Sequence, residues 1–135
     1  MNGMSELQIR VRDVADRLNA IGEGENPYAD PSYGYEWGED GRTSDGSDMG
    51  PMDVFMMDEM VNIKYIVDAG RDGIDYCGAL IYVTVGGPTI WVDTRAHAVK
   101  GTWGTESAEW GLTSRAVDAL DMECGELWDF IRRSL

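Results

Sequence analysis

Nucleophilic and metal chemistry need particular side chains in particular company, and this chain offers few of them. Its single histidine is His97, in TRAHAVK, and its two cysteines are Cys77 and Cys124. A thiol–imidazole pair would require one cysteine to meet His97, and no Cys or His spacing suits zinc. Both cysteines lie in apolar-patterned segments, which predicts reduced core thiols and no disulfide. His97 falls in a turn, where a lone imidazole is ordinarily a polar surface group. The stretch EDGRTSDGSD resembles a calcium loop at first sight. Setting Gly46 on the invariant loop glycine puts Asp45 on a ligand position, but Thr43 and Gly41 on the two before it, so the pattern fails. Gly86-Gly87-Pro88 follows a strand, yet no helix and no Lys-Ser/Thr come after it, which makes it a turn and not a phosphate cradle. Paired carboxylates in a cleft could run glycosidase-type chemistry, but acids this plentiful come close together without meaning. The expectation is no catalytic constellation, no metal and no cofactor.

What is concentrated is charge. The chain has 25 acidic and 11 basic residues, net −14. Residues 1–22 are neutral, residues 23–59 carry eleven acids and one base, and residues 60–135 carry eleven acids and seven bases. The densest part is GEGENPYADPSYGYEWGEDGRTSDGSDMG, residues 22–50. It holds Glu23, Glu25, Asp30, Glu36, Glu39, Asp40, Asp45 and Asp48 against Arg42 alone, interleaved with Tyr28, Tyr33, Tyr35 and Trp37. Phosphate contact needs a basic footprint, so direct binding to nucleic acid is excluded. Such a cluster is either a solvated loop that aids solubility or a surface kept for a positively charged partner. A solubility loop has no use for four large rings. The rings could tie the loop to the domain as an ordered acidic surface. Tyr33, Tyr35 and Trp37 could also serve as apolar anchors on a partner whose basic groove takes the carboxylates as phosphate surrogates.

The elements that must position these residues follow from periodicity. At 135 residues, the chain is expected to form one domain with a real core. No run of about 18 apolar residues suggests a membrane span, and the N-terminus lacks a secretory pattern, so a cytoplasmic protein is expected. Leu7, Val11, Val14, Leu18 and Ile21 line one helical face, with Ser5 and Gln8 as a capping box and Gly22 as the stop. Residues 22–50 read as loop. Residues from Pro51 form a short helix that buries Val54, Phe55, Met57 and Met60. From Asn62 the period becomes two: NIKYIVDA, CGALIYVTV, TIWVDT and AVKGTWGT are four strands joined by tight turns. Thr113 or Ser114 then opens a helix whose inner face is Val117, Leu120, Cys124, Leu127 and Ile131, with Trp128 beside it and Arg132 and Arg133 in its last turn. The predicted fold is α+β: N-terminal helix, acidic loop, short helix, antiparallel four-stranded meander and C-terminal helix. Trp91, Trp103 and Trp110 fall on or near neighbouring strands, as packing pairs or as an exposed binding face. An open sheet edge leaves a homodimer possible.

From about Asp58, the run DEMVNIKYIVDAGRDGIDYCGALIYVTVGGPTIWVDTRAHAVKGTWGTESAEW resembles small acidic proteins encoded by bacteriophages and integrative elements. The resemblance rests on the Gly86-Gly87-Pro88 turn, the Asp93-Thr94 strand end and the Trp103-Gly104 hairpin, and it leaves residues 22–50 outside. It implies a mobile-element origin and, through such relatives, inhibition of host defence as an anti-CRISPR or antirestriction protein. The resemblance also implies that the protein works in the cytoplasm of a host bacterial cell, where the expected partner is a bacterial nucleic-acid-binding defence protein, a Cas effector or a restriction enzyme. A phage structural or regulatory protein that binds a basic partner without competing with DNA is the alternative.

Overall fold

A computed structural model describes residues 3–134. Helix α1 spans Glu6–Gly22 and α3 spans Ser114–Arg132, while α2 is the short Pro51–Val54 turn. The sheet strands are β1 Asn62–Gly70, β2 Gly73–Thr84, β3 Thr89–Asp93, β4 Ala98–Trp103 and β5 Glu106–Gly111. They form one antiparallel meander in sequence order. The class is α+β as expected, but the sheet has five strands and not four.

The added strand has a clear reason for being missed. In ESAEWG only Ala108 is half-buried and every other residue is exposed, so no apolar alternation marks it. What makes it a strand is the hairpin. Trp103 pairs with Glu106 across the two-residue turn Gly104-Thr105, and Gly104 has φ +63°. A positive φ at that corner matches the twist of a tight hairpin.

The start of α1 follows the capping logic in full. The Ser5 side chain accepts from the Gln8 N–H at 3.1 Å, and Gln8 Oε1 accepts from the Ser5 N–H at 2.8 Å. Leu7, Val11, Val14, Ala15 and Leu18 are buried against the sheet. Gly22, expected only as a stop, does more. A Cβ there would lie 2.6 Å from the Ala116 backbone nitrogen, so the missing side chain lets α1 and α3 touch. On the other side of the layer, a Cβ at Gly101 would lie 2.7 Å from Val11 Cγ2, which lets α1 sit down on β4.

In α3, Thr113 caps the Ala116 N–H at 3.2 Å, and Ala116, Val117, Leu120 and Cys124 are buried. Leu127 is half-buried, whereas Ile131 is exposed, because the helix runs past the end of the covering elements. The helices cover one sheet face, where Ala79, Ile81, Ile90, Val92 and Val99 join them in a single core.

Two further expectations are corrected. Cys77 is exposed and not a core residue. The β1–β2 register passes from Ile66↔Gly78 to Val67↔Tyr76, so Cys77 is the extra residue of a bulge and loses its alternating place. Met57 is 69% exposed, and Met56 is buried in its stead. After α2 the chain makes a π-helical turn at Phe55–Glu59, closed by the Met60 N–H on the Phe55 carbonyl at 3.2 Å. In that wider turn each residue advances less around the axis. Val54, Phe55 and Met56 therefore stay inward together, and Met57 is left outside.

Candidate functional site

Residues 23–50 form an ordered surface built from short hydrogen-bonded pieces. Asp30 caps a single 3-10 turn at Pro31–Tyr33 by accepting the Ser32 N–H at 2.9 Å. Residues 36–44 make a small hairpin. Trp37 and Thr43 form an antiparallel bridge, Gly38 N–H donates to the Arg42 carbonyl at 2.8 Å, and Ser44 N–H donates to the Glu36 carbonyl at 2.9 Å. Glu39 and Asp40 sit at its tip. Thr43 is buried, and its Oγ1 accepts from the Met49 N–H at 2.9 Å, which folds the return strand of the loop onto the hairpin.

The aromatic rings provide the attachment. Tyr28 is 2% exposed, and Tyr35 and Trp37 pack half-buried against the core. The Trp37 indole donates to the Tyr28 carbonyl at 3.1 Å, and the Tyr35 hydroxyl donates to Asp58. Tyr33, 48% exposed, meets Tyr28 edge-on at 5.3 Å. Of the three rings expected to meet a partner, Tyr35 and Trp37 are spent within the chain and Tyr33 alone is turned outward.

Beneath them, Glu59 takes a two-pronged bond from Arg17, at 3.1 Å from Nε and 2.5 Å from Nη2, and also accepts the Tyr28 hydroxyl. Burial, and then the bond to Glu59, hold the Tyr28 phenol far above its ordinary range. This network ties α1, the loop and the π turn together.

Every one of the eight loop carboxylates is exposed. They divide by their partners. Glu23 pairs with Arg115 at 3.1 Å and Asp48 with Arg42 at 2.8 Å. Asp40 accepts the Arg42 backbone N–H at 3.1 Å, and Asp45 accepts Ser47 Oγ at 2.5 Å and its N–H at 3.0 Å. Among the described residues, no ion pair or hydrogen bond engages the carboxylates of Glu25, Glu36 and Glu39. Hydrogen bonds to Ser32 and Ser47 hold Asp30 and Asp45 below the usual carboxylate range, so their charge persists into acid. Glu25, Asp30, Glu36, Glu39, Asp40 and Asp45 thus present negative charge that, among the described residues, forms no ion pair with a side-chain cation. The one base of the loop, Arg42, keeps its side chain 42% exposed at the surface, folded onto Asp48. It also lies 3.6 Å from Asp53, whose carboxylate accepts the Gly50 N–H at 2.9 Å. That role could have been suspected from its isolation among acids.

The residues with nucleophilic or metal potential do not converge. Cys124 is buried, and burial pushes its thiol up to about 12. Exposed Cys77 has its thiol 3.7 Å from the Asp75 carbonyl, and exposed His97 occupies a turn at φ +52°. Among the described residues, no group of three or more His, Cys, Asp or Glu is arranged to hold a metal ion. Asp45 and Asp48, in the calcium-like stretch, are taken by Ser47 and Arg42. No described helix is long and apolar enough to cross a membrane.

The tryptophans serve several ends. Trp91 stacks on Tyr82 at 6.0 Å on the uncovered sheet face, and Trp103 lies under the Arg10 guanidinium at 5.5 Å. Trp110 is 39% exposed. The turn motifs after Thr84 are structural in place. Gly86 has φ +85°, Asp93 accepts the N–H groups of Arg95 and Ala96, and Thr94 Oγ1 accepts the Ala79 N–H at 3.0 Å. No known protein family, no curated protein and no solved structure matches this chain.

Proposed function

We propose that the protein is a non-enzymatic inhibitor of a bacterial defence system, which occupies the nucleic-acid groove of its target with the carboxylates of residues 23–50. A Cas effector is the first target and a restriction enzyme the second. One observation carries the reading: all eight loop carboxylates face solvent while the rings between them hold the loop to the core. A mobile acidic tail would lose much of its attraction to the entropy of being ordered on the target. A surface already folded keeps it, as a DNA duplex does with about one charge per 1.7 Å of axis.

The test uses a guide-loaded Cas effector and labelled target duplex. The wild-type protein is expected to block duplex binding, with a potency that falls steeply as salt rises. A variant carrying Glu25→Gln, Asp30→Asn, Glu36→Gln, Glu39→Gln, Asp40→Asn and Asp45→Asn is expected to lose inhibition while keeping its thermal midpoint. The same pair of proteins against a restriction enzyme assigns the target class. Full inhibition by the neutralised variant would sink the mimic.

A further inference from the structure

Between α2, its π turn, the end of the acidic loop and α3 lies an open groove of about 430 Å³. Its floor is Met49, Met56, Met57, Met60 and Leu127. Its rim carries Asp48, Asp53 and Glu123, with Arg42 among them at 2.8 Å from Asp48 and 3.6 Å from Asp53, so the acids outnumber the one base. Helical spacing puts Glu123, Leu127 and Phe130 on one face of α3, and Phe130 is 70% exposed. The apolar strip therefore runs on from the groove along the helix. Met57 and Phe130 are among the most exposed large apolar side chains in the chain, and both flank this strip.

Several occupants could cover such a surface, and charge decides among them. A second copy would bring acids against acids, since the chain is −14 overall and α3 carries Asp118, Asp121, Glu123, Glu126 and Asp129 against Arg115 and Arg132. Unbranched thioethers suit a floor that must adapt to an inserted side chain. Carboxylates on the rim suit cations beside it. We infer that this groove is the docking site of a basic amphipathic helix of a partner protein, whose apolar face fills the methionine floor while Lys or Arg side chains meet Asp53, Glu123 and Asp48. That is the helix-in-groove mode, read by apolar anchors at helical spacing. It uses side chains other than the six unpaired loop carboxylates, so it does not depend on the mimicry of nucleic acid.

The rim holds one cation, Arg42, against three carboxyl groups, and Glu123 is the one with which it forms no ion pair. Burial, then the bond to Asp53 and its charge, push Glu123 up to about 7, with Glu126 adding to the effect and Arg42 opposing it. Asp48 faces the same groove but is held by Arg42. A partner's ammonium or guanidinium at this place would let Glu123 ionise. Binding of a cationic helix should then tighten as pH rises from 6 to 8, and this dependence should vanish in Glu123→Gln.

The probe is a dansyl-labelled Leu/Lys peptide patterned at helical spacing, with a scrambled peptide of identical composition as control. Affinity is read by anisotropy, and the site by methyl spectra of methionine-labelled protein. The patterned peptide is expected to bind about tenfold more tightly than the scrambled one. It should shift the methyls of Met56, Met57 and Met60 but not that of Met4. Met57→Lys, an exposed substitution checked for an unchanged thermal midpoint, should weaken it by about tenfold. Neutralising Glu36 and Glu39 should leave it intact. Equal binding of both peptides, unmoved groove methyls, indifference to Met57→Lys, or a dimer in sedimentation that hides Met57 would each overturn the inference.

Discussion

If the acidic surface is held in place from within, the anchor to remove is Trp37. Its indole N–H bonds the Tyr28 carbonyl at 3.1 Å, and its ring packs half-buried on the core and against Tyr35 at 6.0 Å. Losing the hydrogen bond costs about 1 kcal/mol. Truncating a fully buried Trp to Ala costs about 3–5 kcal/mol, and a half-buried ring roughly half of that. Trp37→Ala should therefore lower the free energy of opening residues 36–44 by about 2.5–3.5 kcal/mol, which raises amide exchange there by between about 70-fold and 370-fold. The reporters are the hydrogen-bonded amides of Gly38, Thr43 and Ser44, with Val92 and Val99 in the sheet as controls. The carboxylates are untouched, so the salt dependence of target binding should persist while its affinity falls. Unchanged protection at Gly38 and Ser44 would refute the anchoring argument. So would an equal loss of protection at Val92, because the loop would then have no stability of its own to lose.

Three other expectations test the frame beneath that surface. Gly22→Ala sets a Cβ 2.6 Å from backbone nitrogen and 2.8 Å from Cα of Ala116, where no rotamer can yield; it should cost about 1–3 kcal/mol in urea unfolding. Glu123 carries a folded pKa of about 7, above the ordinary carboxylate range. Its contribution is thus present below about pH 4 and lost as pH rises through 7. With its open side to solvent, that loss amounts to about 1 kcal/mol, and Glu123→Gln should flatten the stability profile between pH 5 and 8. Tyr28→Phe removes one of three donors to Glu59 and should cost about 1 kcal/mol, whereas Arg17→Met strips Glu59 of its charge partner and should cost about 2–3 kcal/mol. A double-mutant cycle should show coupling, since both donors share one carboxylate.

Periodicity carried most of the fold and stopped where geometry departs from it. The faces of α1 and α3 and the capping of both helices were legible, because Leu7 to Leu18 and Val117 to Cys124 keep an α-helical spacing through to the core. Met57 was not, since a spacing argument assumes an α-helix and the chain makes a π turn at Phe55–Glu59. Cys77 failed for the analogous reason in a strand: a bulge shifts the alternation by one residue. Strand β5 has exposed residues at nearly every position and is specified by its hairpin, not by its pattern. For the candidate site, the sequence located the acids and the rings but not the direction each faces. Direction depends on tertiary bonds such as Trp37 to Tyr28 and Arg17 to Glu59, whose members are separated by 9 and 42 residues.

That division of labour bears on how the protein could bind tightly. Carboxylates alone attract a basic groove over a distance, yet each exposed pair contributes about 1 kcal/mol or less and weakens with salt. Stable complexes need a desolvated centre. Residues 23–50 cannot supply it from Tyr35 and Trp37, because those rings already hold the loop down. Tyr33 is left there, with half its surface free. The larger apolar surface lies nearby, along Met57, Leu127 and Phe130, rimmed by Asp53 and Glu123. A target that fits the whole face would thus offer a basic groove to the loop and a basic amphipathic helix to the methionines. Loss of the loop charges should then act mainly on association rate and salt dependence, and Met57→Lys mainly on dissociation. Measuring both rates for the two variants against one target separates the contributions, and equal effects on both rates would contradict it.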